Sequence, residues 1–282
     1  MVVFALAGLW LCWGTSFPAM RVMAQTLPPL SASGAAFLAA GAVLVLLRPT
    51  TLRGLSFRQF ATAASIGICL LGAQGTVALA ERTTFAGTAA LVVAALPLWV
   101  TVLNAVLGER PTRAGLLRVL IGFSGVALLT GTQASTWTFV VAAAGFVWAI
   151  GTVAAARTTN LPGPWASTAV QLLSGGTLLL VVGAGEAIDR PTAVSWLALG
   201  YLALVDSLAG FGLYTWLLRT TSAALVSTYA YAVPVLASLI SVLFMKEPLR
   251  PIMLAGAVLI VTSVAAEVSA RKPRTRTANT RT

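Results

Sequence analysis

The sequence predicts an all-α integral membrane protein of ten transmembrane helices, arranged as two inverted five-helix repeats. Three observations predict it. The chain is 58% hydrophobic and 9% charged with a mean hydropathy of +0.92, whereas a soluble domain needs many more surface charges. Apolar stretches near the roughly 20 residues that a bilayer core demands recur along the whole length. The chain also repeats itself. Arg82-Thr83-Thr84 set against Arg219-Thr220-Thr221 aligns Ala86 with Ala223, Ala89 with Val226 and Pro97 with Pro234. One extra residue in the second copy then brings Gly108-Glu109 onto Lys246-Glu247 and Gly125-Val126 onto Ser263-Val264, while Trp13-Gly14 falls on Trp148-Ala149. Five spans per copy is an odd number, so the second copy enters the membrane in the opposite direction. Inverted repeats of this kind mark transporters whose substrate site lies near the midplane between the copies.

The expected spans are 2–24, 30–47, 59–80, 86–107, 113–131, 136–156, 165–183, 194–217, 222–244 and 251–268. The first, MVVFALAGLWLCWG onward, has the apolar core of a signal peptide. It lacks a charged n-region and a small-residue cleavage site before Arg21, so it reads as a span. Pro28-Pro29 closes it and opens the second, which ends before Pro49. Glu81-Arg82 ends the third, and Pro111 separates the fourth from the fifth. Pro162-Gly163-Pro164 divides six from seven, Pro191 precedes eight, and Pro248 and Pro251 bracket the turn between nine and ten. The runs are continuously apolar rather than alternating, which selects helices over a closed barrel. Residues 1–131 and 132–268 are the two repeats. Residues 269–282 form a basic tail with nothing to bury, expected to be a disordered cytoplasmic extension near anionic headgroups.

Basic residues set the expected orientation. With the N-terminus in the cytoplasm, inner loops hold Arg48, Arg53, Arg58, Arg110, Arg113, Arg157 and Arg219, and the tail adds Arg271, Lys272, Arg274, Arg276 and Arg281. Outer loops hold Arg82, Arg190, Lys246 and Arg250. Both termini are therefore placed in the cytoplasm of a multi-pass inner or plasma membrane protein. The net charge of +11 is scattered singly over loops and tail, which argues against a nucleic-acid surface. Cys12 and Cys69 lie inside apolar runs and read as free thiols. With no His, no CxxC and no P-loop, neither a metal nor a cofactor is expected, and an enzyme would lack its acid–base or metal constellation.

Three segments carry a resemblance. WLCWGTSFPAMR in span one, AALPLWVTVLNAVLGERPT in span four and YAYAVPVLASLISVLFMKEPL in span nine resemble the EamA branch of the drug/metabolite transporter superfamily. The shared pattern is a mid-span Pro followed by Glu and a turn: Pro97 then Glu109, Pro234 then Glu247. The resemblance covers residues 2 to 268. It implies a ten-helix inner-membrane carrier of small metabolites, commonly amino acids or related compounds and often an exporter, with a cavity lined by spans one, three, four, six, eight and nine. Many members carry an Arg early in span two; between Pro29 and Arg48 this chain has none.

Several residues are candidates for that cavity. Pro97, Thr101 and Asn104 share a helical face of span four with Ala90 and Ala94, and Ser227, Tyr231, Pro234 and Ser238 are their partners in span nine. A mid-span Pro frees a carbonyl and kinks the helix, tolerable only where backbone faces protein or a cavity. The alternative is close helix packing by small and hydroxylated residues. Asp206 lies mid-way along WLALGYLALVDSLAGFGLYTWLL, with Gly210 and Tyr214 on its face. A carboxylate at that depth costs several kcal/mol, so it has a reason to remain: a proton-coupling group, a contact for an amino group, or a structural acceptor. Trp13 and Phe17 share a face of span one, Trp148 is the counterpart of Trp13, and Gln74 is a mid-span amide in span three. Arg21 is expected to snorkel to the headgroups. Glu81 is expected to pair locally with Arg82, and Glu109 and Glu247 to cap helices. The resulting expectation is an alternating-access secondary transporter whose partners are a small-molecule substrate, the bilayer and, if transport is coupled, protons. Carriage of a nucleotide sugar or lipid-linked metabolite, and a non-transport scaffold or receptor, are the alternatives.

Overall fold

A computed structural model describes residues 1–270 except 133, 134, 189, 222, 227, 249 and 250. The basic tail from 271 onward and Ser227 lie outside the described residues. Each expected span is helical. Among the described residues, seven helices are long and apolar enough to cross a membrane: Val2–Ala24, Pro29–Leu47, Phe57–Ala80, Ala86–Val106, Thr136–Arg157, Pro164–Gly185 and Ala193–Tyr214. Arg113–Thr132, Tyr229–Met245 and Pro251–Ala270 occupy the remaining span positions, five, nine and ten.

The packing pairs the two repeats rather than separating them. Span two crosses span seven, span five packs along span ten, and span four meets span nine. Span one touches spans eight and nine while span six touches spans three and four, the same pairing with the repeats exchanged. Glycines make the closest crossings. A Cβ on Gly34 would stand 2.8 Å from the carbonyl oxygen of Gly176, and one on Gly67 would stand 2.4 Å from Cα of Gln171. Without a hydrophobic force between helices in lipid, such backbone approach is how they associate. Hydrogen bonds tie the same seams: Ser174 Oγ donates to the Ala64 carbonyl at 3.2 Å, and Ser31 Oγ to the Gly183 carbonyl at 2.8 Å. The large side chains left exposed, among them Leu116, Leu120, Leu239 and Leu243, need lipid around them.

Four spans are not continuous α-helices. Span one is interrupted at Thr15, whose hydroxyl donates back to the Leu11 carbonyl at 2.6 Å and meets the Tyr201 hydroxyl at 2.5 Å. Span four breaks between Ala86–Val93 and Leu96–Val106, just before Pro97, whose ring has no room for the carbonyl four residues back. Span nine behaves differently. Pro234 sits inside the unbroken helix Tyr229–Met245, and the interruption falls earlier, after Ala223–Val226. The two prolines in one sequence register therefore do not produce two breaks in one register. Span eight changes type, from an α-helix over Ala193–Tyr201 to a π-helix over Leu202–Gly210 and back over Phe211–Thr220.

The glycine seam sets a stability test. Gly67→Ala drives a methyl into the backbone of span seven and is expected to cost about 1–3 kcal/mol, the usual range for overpacking. Gly72→Ala, whose nearest neighbour would be Leu178 Cδ2 at 3.5 Å, is expected to be neutral or slightly stabilising through helix propensity. Thermal melting in detergent compares the two; equal melting temperatures would disprove the close crossing of spans three and seven.

Candidate functional site

Spans one, three, four, six, eight and nine enclose a central cavity. Its empty space is about 750 Å³ with the solvent at its mouth included. Seven of the sequence candidates line it: Trp13, Phe17, Gln74, Pro97, Trp148, Asp206 and Pro234. Ala90 and Ala94 join them on span four. The lining is otherwise apolar, with Met20, Val77, Val93, Phe211 and Val233, and its polar groups are few: Ser16, Gln74, Asp206, the indoles and the Tyr229 ring edge.

Asp206 is buried and stands at the centre of the π-helical stretch. Gln74 Nε2 donates to its Oδ2 at 3.1 Å, so spans three and eight meet across the cavity wall through this pair. Trp13 Nε1 donates to the Asp206 main-chain carbonyl at 3.3 Å. A π-helix shifts the backbone ladder by one residue, and such bulges concentrate at functional sites because they re-aim a side chain and loosen a carbonyl. Gly210 makes the Trp13 contact possible. A Cβ there would stand 2.5 Å from the indole nitrogen. Trp13 is held on its other sides by Phe211, Tyr214 and Tyr229, with ring centroids 5.7, 5.4 and 4.8 Å away.

Other candidates stand elsewhere. Tyr214 packs behind Trp13 and against Tyr229, outside the cavity lining. Thr101 bonds back to the Pro97 carbonyl at 3.0 Å and Asn104 accepts from Arg157 at 3.1 Å; neither lines the cavity. Ser238 donates to the Gly87 carbonyl at 3.4 Å, joining spans nine and four. Tyr231 is half-buried and away from the lining, while Tyr229, two residues earlier, takes the place expected for it. Sequence reasoning missed Ser16, Phe211 and Tyr229. Ser16 follows Trp13 by three residues on the same face and was legible; Phe211 follows the π-helix, and Tyr229 lies on the face of span nine next to the one chosen, with Val233 and Pro234.

A second polar assembly closes one face of the bundle. The Glu247 carboxylate accepts from the backbone N–H groups of Ala86 and Gly87 at 3.0 and 3.2 Å, capping span four from the opposite repeat. It therefore caps a helix distant in sequence, not the next one along. Arg21 does not snorkel. Its Nε lies 3.2 Å from Glu247 Oε1, and its Nη1 donates to the main-chain carbonyls of Glu81 and Thr84 at 2.8 and 2.5 Å. Its guanidinium stands over the Phe85 ring at 5.3 Å. The expected Glu81–Arg82 pair does not form, since Arg82 turns to the carbonyls of Ala24 and Leu27. Glu81 is 0% exposed, and neither of its carboxyl oxygens has a hydrogen-bond partner. Burial pushes this carboxyl well above the usual carboxylate range; the positive charge of Arg21 opposes the shift and the negative charge of Glu247 adds to it.

Three comparisons bear on identity. The model of the EamA-like transporter family matches twice, over residues 1–131 and 135–266. An Escherichia coli K12 protein described as an uncharacterized inner membrane transporter, YedA, is 34% identical over 84% of this chain and 80% of its own length. A Bacillus subtilis protein described as an uncharacterized transporter, YvbV, is 27% identical over 92% of this chain and 88% of its own. A solved chain with 22% identity superposes with a TM-score of 0.65 over 95% of this chain and 96% of that one, a likeness of fold. With the family model spanning both halves, the chain belongs to the EamA-like transporter family.

Proposed function

We propose that this membrane transporter exports amino acids or related small organic compounds that carry an amino group, by alternating access at the central cavity. The observation that carries the reading is Asp206: a buried carboxyl on a π-helical segment, bonded to Gln74 from the facing span, in a cavity walled by Trp13, Phe17, Trp148 and Phe211. A carboxyl and aromatic faces attract an amino or cationic group. Among the described residues no Lys or Arg lines this cavity, so a dianion such as a nucleotide sugar finds no counter-charge from them. An amino acid's own carboxylate would look to the second N–H of the Gln74 amide, whose first is given to Asp206.

The membrane is the inner or plasma membrane, with both termini cytoplasmic. The relative named as an inner membrane transporter and the basic bias of the loops support this. The Arg21–Glu247 face is then outer and the Arg157–Glu109 face inner. The two repeats, 1–131 and 132–268, would rock about the interrupted spans one, four, eight and nine, since an interrupted span bends more readily than a continuous one. Asp206 is the group through which protons would drive transport. It is ionisable, buried and bonded by a neutral amide donor, so it can change charge when the cavity opens to either side.

Two measurements test this. A cysteine in the 184–193 loop is expected to react with an impermeant thiol reagent from outside, and one in the tail only after the membrane is opened. Reaction of both from one side would disprove the five-plus-five arrangement. In proteoliposomes loaded with candidate amines and amino acids, Asp206→Asn is expected to abolish accumulation driven by a pH gradient while leaving substrate exchange partly intact. Wild-type accumulation with wild-type pH dependence in the variant would remove Asp206 from coupling.

A further inference from the structure

The Arg21–Glu247 pair has a counterpart across the membrane. Glu109 stands in the Glu247 position of the first repeat, and Arg157 lies one residue past the position that the Trp13–Trp148 register gives for Arg21. These two also pair, at 2.9 Å. Among the described residues, a cross-repeat ion pair thus stands at each face. They differ in state. Side-chain exposure is 18% and 7% for Arg21 and Glu247 but 36% and 50% for Arg157 and Glu109. The first pair is shut into the protein with its carboxylate on the N-terminus of span four; the second stands half in solvent. The inverted arrangement makes each pair the closure of one pathway, shut when buried.

The two closures also differ in chemistry. Beside the buried pair lies Glu81, with no hydrogen-bond partner for either oxygen. In the register of Arg82 with Arg219, the residue matching Glu81 is Leu218, so the sequence places no carboxyl at the equivalent position of the other face. The charged groups that face Glu81 are Arg21 from span one and Glu247 from the turn after span nine. Arg82, its chain neighbour, has its guanidinium on the Ala24 and Leu27 carbonyls, and Lys246, beside Glu247, is exposed. Arg21 is already engaged by one carboxylate and two carbonyls.

We propose that Glu81 is a proton-binding site, separate from Asp206, that holds the Arg21–Glu247 closure shut when protonated and drives it open when ionised. A neutral carboxyl fits the closed, dry site, where it leaves Arg21 to Glu247 and costs only its own unmade bonds. An ionised one is an unpaired buried charge. It competes with Glu247 for Arg21, and loss of that contact frees the cap on Ala86 and Gly87. The sign follows from linkage: a carboxyl that binds its proton more tightly in the closed state favours closure at low pH, and that preference is lost as pH rises through its closed-state value. The site binds only a proton from the adjoining water, and no second ligand is required. The inference rests on alternating access but on no assignment of substrate or of Asp206.

Double electron–electron resonance on spin labels at Thr83→Cys and Lys246→Cys reads the closure directly, in nanodiscs without substrate, with Cys12 and Cys69 replaced by Ala. Both label positions are exposed. Between about pH 5 and pH 9 the long-distance population is expected to grow, by up to about tenfold per pH unit for a single proton. Glu81→Gln is expected to hold the short distance throughout, and Glu81→Asp to restore a pH response. Glu81→Leu, the residue of the other face, serves if the Gln variant fails to fold. A pH-independent wild-type distance, or an undiminished pH response in the folded Gln or Leu variant, would overturn the proposal. Because no transport is measured, its failure is distinct from failure of the substrate reading.

Discussion

Within a bilayer a polar group cannot turn to water, so every donor, acceptor and charge displaced from a helix ladder must find its partner inside the protein. That constraint accounts for where this bundle departs from regular helices. Thr15 returns its hydroxyl to the chain where span one is interrupted, Glu247 supplies the acceptors that the start of span four lacks, and the Asp206 carbonyl in the π stretch receives the Trp13 indole. The first repair stays within span one; the other two cross between repeats. The irregular segments therefore hold the two halves against each other around the cavity, and the chemistry of the site is built from the same bonds that keep the bundle closed.

Spans and breakers were legible because a membrane leaves few ways to write a helix: long apolar runs ended by Pro28-Pro29, Pro111 or Pro162-Gly163-Pro164 fall where helices end. The pairing of Trp13 with Trp148 and the mid-span position of Asp206 were visible for the same reason, and both residues line the cavity. The face of span nine was not. Projecting an ideal helix through 222–244 points Tyr231 inward with Pro234, whereas the cavity takes the adjoining face of the same continuous helix, Tyr229, Ala230 and Val233 with Pro234. Span four misled as well: Thr101 and Asn104 follow a helix interruption between Val93 and Leu96 that an unbroken helical wheel ignores. Arg21 and Glu81 were misread for another reason. Each has a sequence neighbour or a nearby headgroup that offers an adequate local explanation, and their actual surroundings come from a turn more than 160 residues away.

The two repeats share a register but not a conformation. Pro97 follows a break and Pro234 lies within a continuous helix; one cross-repeat ion pair is buried and the other open to solvent. A strictly symmetric bundle would have no reason to prefer either face, and these differences set one face apart from the other. Glu81 opposite Leu218 is a difference of another kind, because it is written in the sequence and persists whichever state the bundle adopts.

Glu186 has a bearing on how the chain is made. Its carboxylate accepts from the backbone N–H groups of Leu30 and Ser31 at 3.3 and 3.0 Å, at the start of span two. Pro28 at that helix start has no side-chain oxygen to offer, and Glu186 lies 155 residues downstream of Ser31. During synthesis, span two must therefore enter the membrane with bare donors at its head. It keeps them through the insertion of five further spans, until the ribosome has delivered the loop after span seven. Such an end stays wet, at the headgroup level, and is free to slide in depth. The second repeat then does more than complete a pore: its arrival sets the final depth of a helix laid down long before it.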